Sequence, residues 1–342
     1  LRKKVRISDV ARLSGVSLST VSLVLNNRPG VSEETRITVI KAANELGYSS
    51  LGNGGRSPAA QLQTIGMVIK THVNMIPQAN PFYSKVMMGI EDTCRNKGIQ
   101  LLFSTIPVDE NNQPVEMPAL LNNLPLDGLL LVGAYVNPVF GAHLLQRRIP
   151  TVLVDGYSEN QDFDSVLSDN FRAAYHAIEY LLDKGHRHIG LVGSDDLSFP
   201  SLRERRNGYL RALKERDIPD SYIASFNINQ THGFKETTDL LRQNPHITAL
   251  FCVNDDIASS SLRAAQSLGL KVPDDLSIIG YDDTYLAANT HPALTTLHVD
   301  TLSMGRAAVR LLSMRIENPA SARMTLLTHP QLIERESVAS KT

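Results

Sequence analysis

The sequence predicts an N-terminal all-α helix-turn-helix head followed by an α/β body of two doubly wound parallel-sheet lobes. Three observations carry this reading. The first 47 residues hold short helical patterns and no strand pattern; residues 48–62 are rich in Gly, Ser, Asn and Ala; from residue 63 onward short apolar runs alternate with amphipathic helices. Such alternation means parallel sheets with helices on both faces.

Taken in order, Ser8 is expected to cap a first helix through Ser14, with Val10 and Leu13 inward, and Gly15-Val16 breaks it. Ser17 can cap a second helix, Leu18 to Leu25, whose Val21, Val24 and Leu25 share one face. Residues 26–30 read as a loop. Ser32 then opens a third helix, Glu33 to Leu46, with Ile37, Ile40 and Ala43 or Asn44 along one side and Gly47 as its stop. Two short helices joined by a tight Gly turn, with a supporting third, form a helix-turn-helix unit.

The 48–62 stretch, with Gly52-Asn53-Gly54-Gly55, has linker composition. Beyond it, strands are expected at 65–69, 100–104, 128–132, 151–154, 165–167, 189–192, 249–253 and 277–280. Helices are expected between them at 83–96, 171–184, 204–215, 233–243 and 256–267. The array is too long for one sheet, so two lobes are expected.

Residues 1–60 hold nine Lys and Arg against four Asp and Glu, a net +5, whereas the remainder carries −6. A basic head on a mildly acidic body suits a tethered module for a polyanion. The basic start is not followed by an apolar stretch with a small-residue cleavage site. Cys94 and Cys252 stand far apart, and no run of roughly 18 apolar residues occurs. A reduced, cytoplasmic protein with no membrane partner is therefore expected. The histidines, His186 and His188 included, lack metal-ligand spacing, so neither metal nor cofactor is expected. Phosphate-loop, nucleophile-elbow, zincin and dinucleotide fingerprints are missing, which argues against an enzyme.

The head, ISDVARLSGVSLSTVSLVLNNRPGVSEETRITVIKAANELGY, resembles the DNA-binding domain of the LacI/GalR family of bacterial repressors. Further blocks match in order: NPFYSKVMMGIE (80–91), DGLLLV (127–132), KGHRHIGLVG (184–193), ALFCVNDDIASSSLRAAQSLGLKVPDDLSIIGYDD (249–283) and PALTTLHVD (292–300). The resemblance implies a periplasmic-binding-protein-like sensor, two lobes joined by three crossing strands with a small molecule in the cleft. It divides the body, 63–342, into an N-lobe of about 63–163 and 292–324 and a C-lobe of about 164–291 and 325–342.

The resemblance also implies that the second helix enters the DNA major groove, presenting Leu18 and Ser19, then Leu23 one turn on. Leucines neither donate nor accept hydrogen bonds, so any reading by them is apolar, for example against thymine methyls; core packing is the alternative role. The family places several of Ser17, Thr20, Ser22, Asn26, Ser32 and Thr35 against phosphates. Ser17 and Ser32 serve equally well as helix caps, and Ser22 and Thr35 as solvated surface. In relatives a short helix follows the head and wedges a Leu into the minor groove. Here that position falls on Ser57 among glycines costing about 1 kcal/mol each in a helix. The expectation is a smaller operator bend, or ordering of this segment only on DNA.

For the cleft, the resemblance points to Phe82, Tyr83, Asp155, Arg205, Asn254, Asp255 and Asp282, with Ile228 where several relatives carry an aromatic residue. Carboxylates and amides suit vicinal hydroxyls, so a sugar is expected, with a nucleobase-type corepressor as the alternative. Other roles stand beside these: helix capping for Asp255, loop amides for Asp282, a solvated charged run for Arg205, core for Phe82. The family resemblance implies a ligand-responsive repressor of a palindromic operator. One head makes too few base contacts alone, so a homodimer is expected, and the end of the chain lacks the heptads that tetramerise some relatives. A transport binding protein shares the two-lobed fold but would lack the head.

Overall fold

The computed structural model describes residues 6–25, 30–46, 62–72, 81–118, 120–121, 125–160, 162–229 and 231–341. The chain divides into two compact units, Leu1–Gln61 and Leu62–Thr342. The linker at 48–61 lies outside the described residues, as do Asn26, Ser57 and Asn80.

The first unit is helical. Helix α1 (Ile7–Ser14) starts two residues earlier than a cap at Ser8 would allow, with Arg6 at the cap position. The Arg6 backbone N–H donates to Asp9 Oδ2 at 2.8 Å, and Gly15 closes the helix at φ 70°. Helices α2 (Leu18–Leu25) and α3 (Glu33–Leu46) follow. The core joins Val10, Ala11, Val21, Val24, Val39, Ala42 and Ala43. The apolar face expected on α3 is therefore rotated: Ile37 and Ile40 are exposed, as is Leu13 of α1. Its buried face is Val39 with Ala42 and Ala43, small residues that a count of large apolar side chains overlooks.

The second unit holds two parallel sheets. The larger has the order β13-β7-β5-β3-β1-β2 and contains β1 (Thr64–His72), β2 (Gln100–Val108), β3 (Gly128–Val132), β5 (Thr151–Val154), β7 (Asp164–Ser168) and β13 (Thr325–Thr328). The smaller, β11-β10-β8-β9, contains β8 (Ile189–Val192), β9 (Tyr222–Ala224), β10 (Ala249–Cys252) and β11 (Ser277–Ile279). Short pairs β4 (Tyr135–Val136) with β6 (Tyr157–Ser158), parallel, and β12 (Thr296–His298) with β14 (Gln331–Ile333), antiparallel, complete the set.

Alternation along β1 and β3 explains why both faces of the larger sheet are covered. Ile65, Met67 and Leu130 pack with Val86 and Ile90 of α4 (Pro81–Lys97). Val68, Leu129 and Leu131 face Phe140 and Leu144 of α5 (Pro138–Gln146). The C-lobe helices are α6 (Asn170–Asp183), α7 (Pro200–Glu215), α8 (Phe234–Gln243), α9 (Asp255–Ser267) and α10 (Tyr285–Asn289).

Helix α11 (Thr301–Glu317), not foreseen from the sequence, returns to the N-lobe against α4. A Cβ on Gly89 would strike the Leu302 carbonyl, and one on Gly305 the Val86 carbonyl, so each helix approaches through a glycine of its own.

The lobe boundaries lie later than expected. Residues 164–168 and 325–328 pair with each other and, through β5, join the larger sheet, so both segments belong to the N-lobe. Residues 295 and 298 bridge to Ile279 and Asp282, keeping the 292–298 stretch alongside the C-lobe. Hydrogen bonding within each sheet, invisible to motif spacing, sets where the chain crosses.

Candidate effector cleft and DNA-reading head

Between the lobes lies a cleft of about 840 Å³, a size ordinary for small-molecule sites. Four of its polar residues stand at the C-terminal ends of strands: Lys70 late in β1, Asp155 just past β5, Asn254 past β10 and Asp282 past β11. Open α/β sheets bind ligands at this edge.

Arg205, on α7, forms the floor. Its Nε donates to Asn170 Oδ1 at 2.9 Å, a terminal nitrogen donates to the Val253 carbonyl, and the other lies 3.7 Å from Asp282 Oδ1. The guanidinium lies 3.5 Å from the centroid of the Tyr281 ring. Asp282 adopts φ 102°, and its buried Oδ1 lacks a hydrogen-bond partner among the described residues. Burial pushes its carboxyl well above the usual range, with Arg205 opposing.

Opposite, Tyr83 donates its hydroxyl to Asp155 Oδ2 at 2.9 Å. Burial raises the Asp155 carboxyl, while Lys70 and Tyr83 pull it down. Lys70 Nζ donates to Asn112 Oδ1 at 2.6 Å and sits over the rings of Phe199, 5.0 Å from its centroid, and Tyr83, 5.5 Å away. Burial takes its ammonium down to about 8, with Asp155 opposing.

Aromatic rings wall the cleft. Phe82 meets Tyr83 edge-on at 5.2 Å, and Phe199 of the C-lobe meets Tyr157 of the N-lobe edge-on at 5.3 Å. Polar contacts also join the lobes. Tyr157 donates to Glu204 at 3.2 Å, while the amides of Asn227 and Asn229 donate to the Glu110 carbonyl at 3.3 and 3.0 Å. The lobes thus touch at both places.

Of the residues singled out for the cleft, Phe82, Tyr83, Asp155, Arg205, Asn254 and Asp282 line it, as does Ile228. Asp255 does not. It is buried and turned away, accepting from Thr296 Oγ1 at 2.6 Å and from the Thr284 backbone at 2.7 Å. Nor is it the helix cap: Asn254 takes that place, its Oδ1 accepting from the Ile257 N–H at 2.8 Å. One residue in register decides which of two adjacent acids faces the cleft, and Asp256 lines it instead.

In the head, Ser17 Oγ accepts from the Thr20 N–H at 3.1 Å and lies 2.7 Å from Ser19 Oγ. Ser32 Oγ likewise accepts from the Thr35 N–H at 3.3 Å. Both serines are therefore helix caps, and both remain exposed. Leu18 is 52% exposed, Leu23 is half-buried, and neither joins the head's core. Ser19 is exposed; Thr20, Ser22 and Thr35 are half-buried.

Comparison with known proteins agrees with this geometry. Residues 6–50 match the model for bacterial regulatory proteins of the lacI family, and residues 178–338 that of the periplasmic binding protein-like domain. The HTH-type transcriptional repressor PurR of Yersinia pestis (strain Pestoides F) is 33% identical over 337 residues, covering 97% of this chain and 96% of the relative. The chain belongs to the lacI family of bacterial regulatory proteins.

Solved structures of the family share the fold. A transcriptional regulator CelR–cellobiose complex aligns with TM-score 0.68 and 27% identity over 97% of this chain and 99% of that one. A LacI family regulator from Enterococcus faecium with bound ribose gives TM-score 0.68 and 26% identity over 82% and 100%. The lac repressor dimer on operator, at 23% identity and TM-score 0.66 over 98% and 100%, matches in fold. As a lacI-family chain this is a DNA-binding transcription regulator, and no described helix is long and apolar enough to cross a membrane.

Sequence reasoning missed Lys70, Asn112 and Phe199 of the cleft. Lys70 had a signal: it is the one charged residue closing the apolar run Ile65–Ile69, at the end of the strand where ligands bind. Phe199 had only its place before Pro200 at the start of α7.

Proposed function

We propose that this lacI-family regulator is a repressor that binds a palindromic operator as a homodimer and whose grip on DNA is set by a sugar-like small molecule in the cleft. The observation that carries the ligand reading is that Asp282, whose Oδ1 makes no hydrogen bond among the described residues, lines one cleft with the aromatic rings of Phe82 and Phe199. Carboxylates and amides accept from and donate to vicinal hydroxyls, while ring faces cover the apolar side of a sugar. Relatives solved with cellobiose and ribose support the same class.

On the DNA side, Leu18, Ser19 and Leu23 supply the base-facing surface. Ser17, Thr20, Ser22, Asn26, Ser32 and Thr35 supply phosphate contacts that set register without reading sequence. A ligand that prefers one arrangement of the lobes shifts DNA affinity by its difference in affinity for the two states.

A melting-temperature screen of sugars and nucleosides, followed by duplex binding with each hit, tests the reading. Stabilisation by a polyol together with a change in duplex affinity supports it. Stabilisation by nucleosides alone overturns the sugar assignment.

A further inference from the structure

We propose that the small molecule taken by the cleft is a polyhydroxylated acid, a sugar bearing a carboxylate or a phosphate, whose anionic group is received by Lys70. This rests on, and narrows, the reading of the cleft as an effector site.

Among the described residues Arg205 and Lys70 bring positive charge to the cleft, and they differ in what they have left to give. Arg205 is committed: Asn170, the Val253 carbonyl, Asp282 and the Tyr281 ring occupy it. Lys70 is not. An ammonium has three N–H donors, and among the described residues its hydrogen bond goes to one neutral amide oxygen, that of Asn112. Asp155, the carboxylate acting on it most strongly, takes its hydrogen bond from Tyr83 and forms no ion pair with Lys70. The rings of Phe199 and Tyr83 flank the remaining donors. A half-buried ammonium in such a place is under-satisfied, and an anionic oxygen is the group that completes it. Although burial brings Lys70 down to about 8, it remains mostly protonated at neutral pH.

The C-lobe side asks for the opposite partner. Asp282 Oδ1 has the Arg205 guanidinium at 3.7 Å but no hydrogen bond among the described residues, and a hydroxyl supplies that donor. Glu110, Asp195 and Asp256 also line the cleft. With Arg205 already engaged by Asp282 and its other partners, an anion away from Lys70 lies among these acids, which favours its placement at Lys70. A neutral sugar leaves Lys70 incomplete, and an acid without hydroxyls leaves Asp282 so. One molecule carrying both groups satisfies both.

The test is calorimetric titration of the full chain at neutral pH with D-gluconate, D-glucuronate and D-glucose 6-phosphate, each set against its neutral counterpart, D-glucitol or D-glucose. At least one acid is expected to bind roughly tenfold or more tightly than its counterpart. Lys70→Gln is expected to remove that preference while its melting temperature stays close to that of the parent. Which acids bind tells carboxylate from phosphate.

Equal affinity for acid and neutral counterpart, a preference that survives in Lys70→Gln, or no binding by any of the acids overturns the inference; the parent comparison stands even if the variant misfolds. Duplex binding by the same preparation, measured without ligand, judges the regulator reading separately. A chain that binds DNA but no acid refutes the ligand class alone.

Discussion

Arg205 stacks on Tyr281, its guanidinium 3.5 Å from the ring centroid, with both side chains buried beneath the cleft. The stack holds the guanidinium flat while its edges serve Asn170, the Val253 carbonyl and Asp282. Planar, multi-edged donation of this kind is particular to arginine. Arg205→Met therefore strands a buried carboxyl and two acceptors, with an expected loss of about 3 kcal/mol in urea unfolding. A loss below about 1 kcal/mol, the scale of an exposed pair, would show that the network carries no stability.

A second buried pair sits at the N-lobe's edge. Arg315 Nε donates to Asp164 Oδ2 at 2.6 Å and a terminal nitrogen to Oδ1 at 2.9 Å, while the Met324 N–H donates to Oδ1 at 2.8 Å. The same guanidinium donates to the carbonyls of Pro319, Ser321 and Ala322, fixing the turn into β13. Burial alone would raise the Asp164 carboxyl, but its bonds to Arg315 and Met324 outweigh it and hold it below its ordinary value. A depressed carboxyl stabilises the fold fully above the unfolded value of about 3.9 and loses that contribution as pH falls below it. Asp164→Asn is expected to cost about 3 kcal/mol at pH 7. The gap between parent and variant should narrow in urea melts taken progressively below about pH 4; a gap that widens there contradicts the pairing.

These two networks mark the boundary of what the sequence discloses. Strands 128–132, 151–154 and 189–192 are legible because continuous apolar runs between turn residues have one good solution, burial on both faces. The cleft's outline is legible because Asp155, Asn254 and Asp282 each follow a strand end. Asp255 and Asp256 are not separable that way, since neighbours in a helix start differ by 100° of rotation and only packing against Thr284 and Thr296 decides. Lys70 and Asn112 are 42 residues apart, and Asp164 and Arg315 are 151 apart. No local period joins such pairs. The lobe crossings slipped for a related reason, because a strand's membership depends on its neighbour in the sheet.

The reciprocal glycines of α4 and α11 give a packing test. Gly89→Ala places a methyl group against the Leu302 carbonyl, where backbone rather than a flexible side chain must yield. Overpacking of this sort costs about 1–3 kcal/mol, to be read from thermal or urea unfolding. A neutral or stabilising substitution, following alanine's better helix propensity, would mean the helices part without penalty.

In the head, Leu18→Ala and Ser17→Ala separate reading from scaffolding. Leu18 is half exposed and outside the head's core, so its truncation should weaken binding to the preferred duplex while leaving the salt slope unchanged. Ser17 caps α2, and its loss should lower the head's stability by about 1 kcal/mol. Salt-dependent anisotropy titrations and melting curves distinguish the two. A Leu18→Ala head that binds all sequences as the parent does contradicts a base-facing role.

The most direct measurement of the whole account is the affinity of the full chain for a duplex selected from a random pool, taken with and without the small molecule that stabilises the cleft. A palindromic selected sequence bound by two chains is expected, with the small molecule changing that affinity by about tenfold or more. A selected pool with no sequence in common, or an affinity indifferent to a ligand that demonstrably fills the cleft, would contradict it.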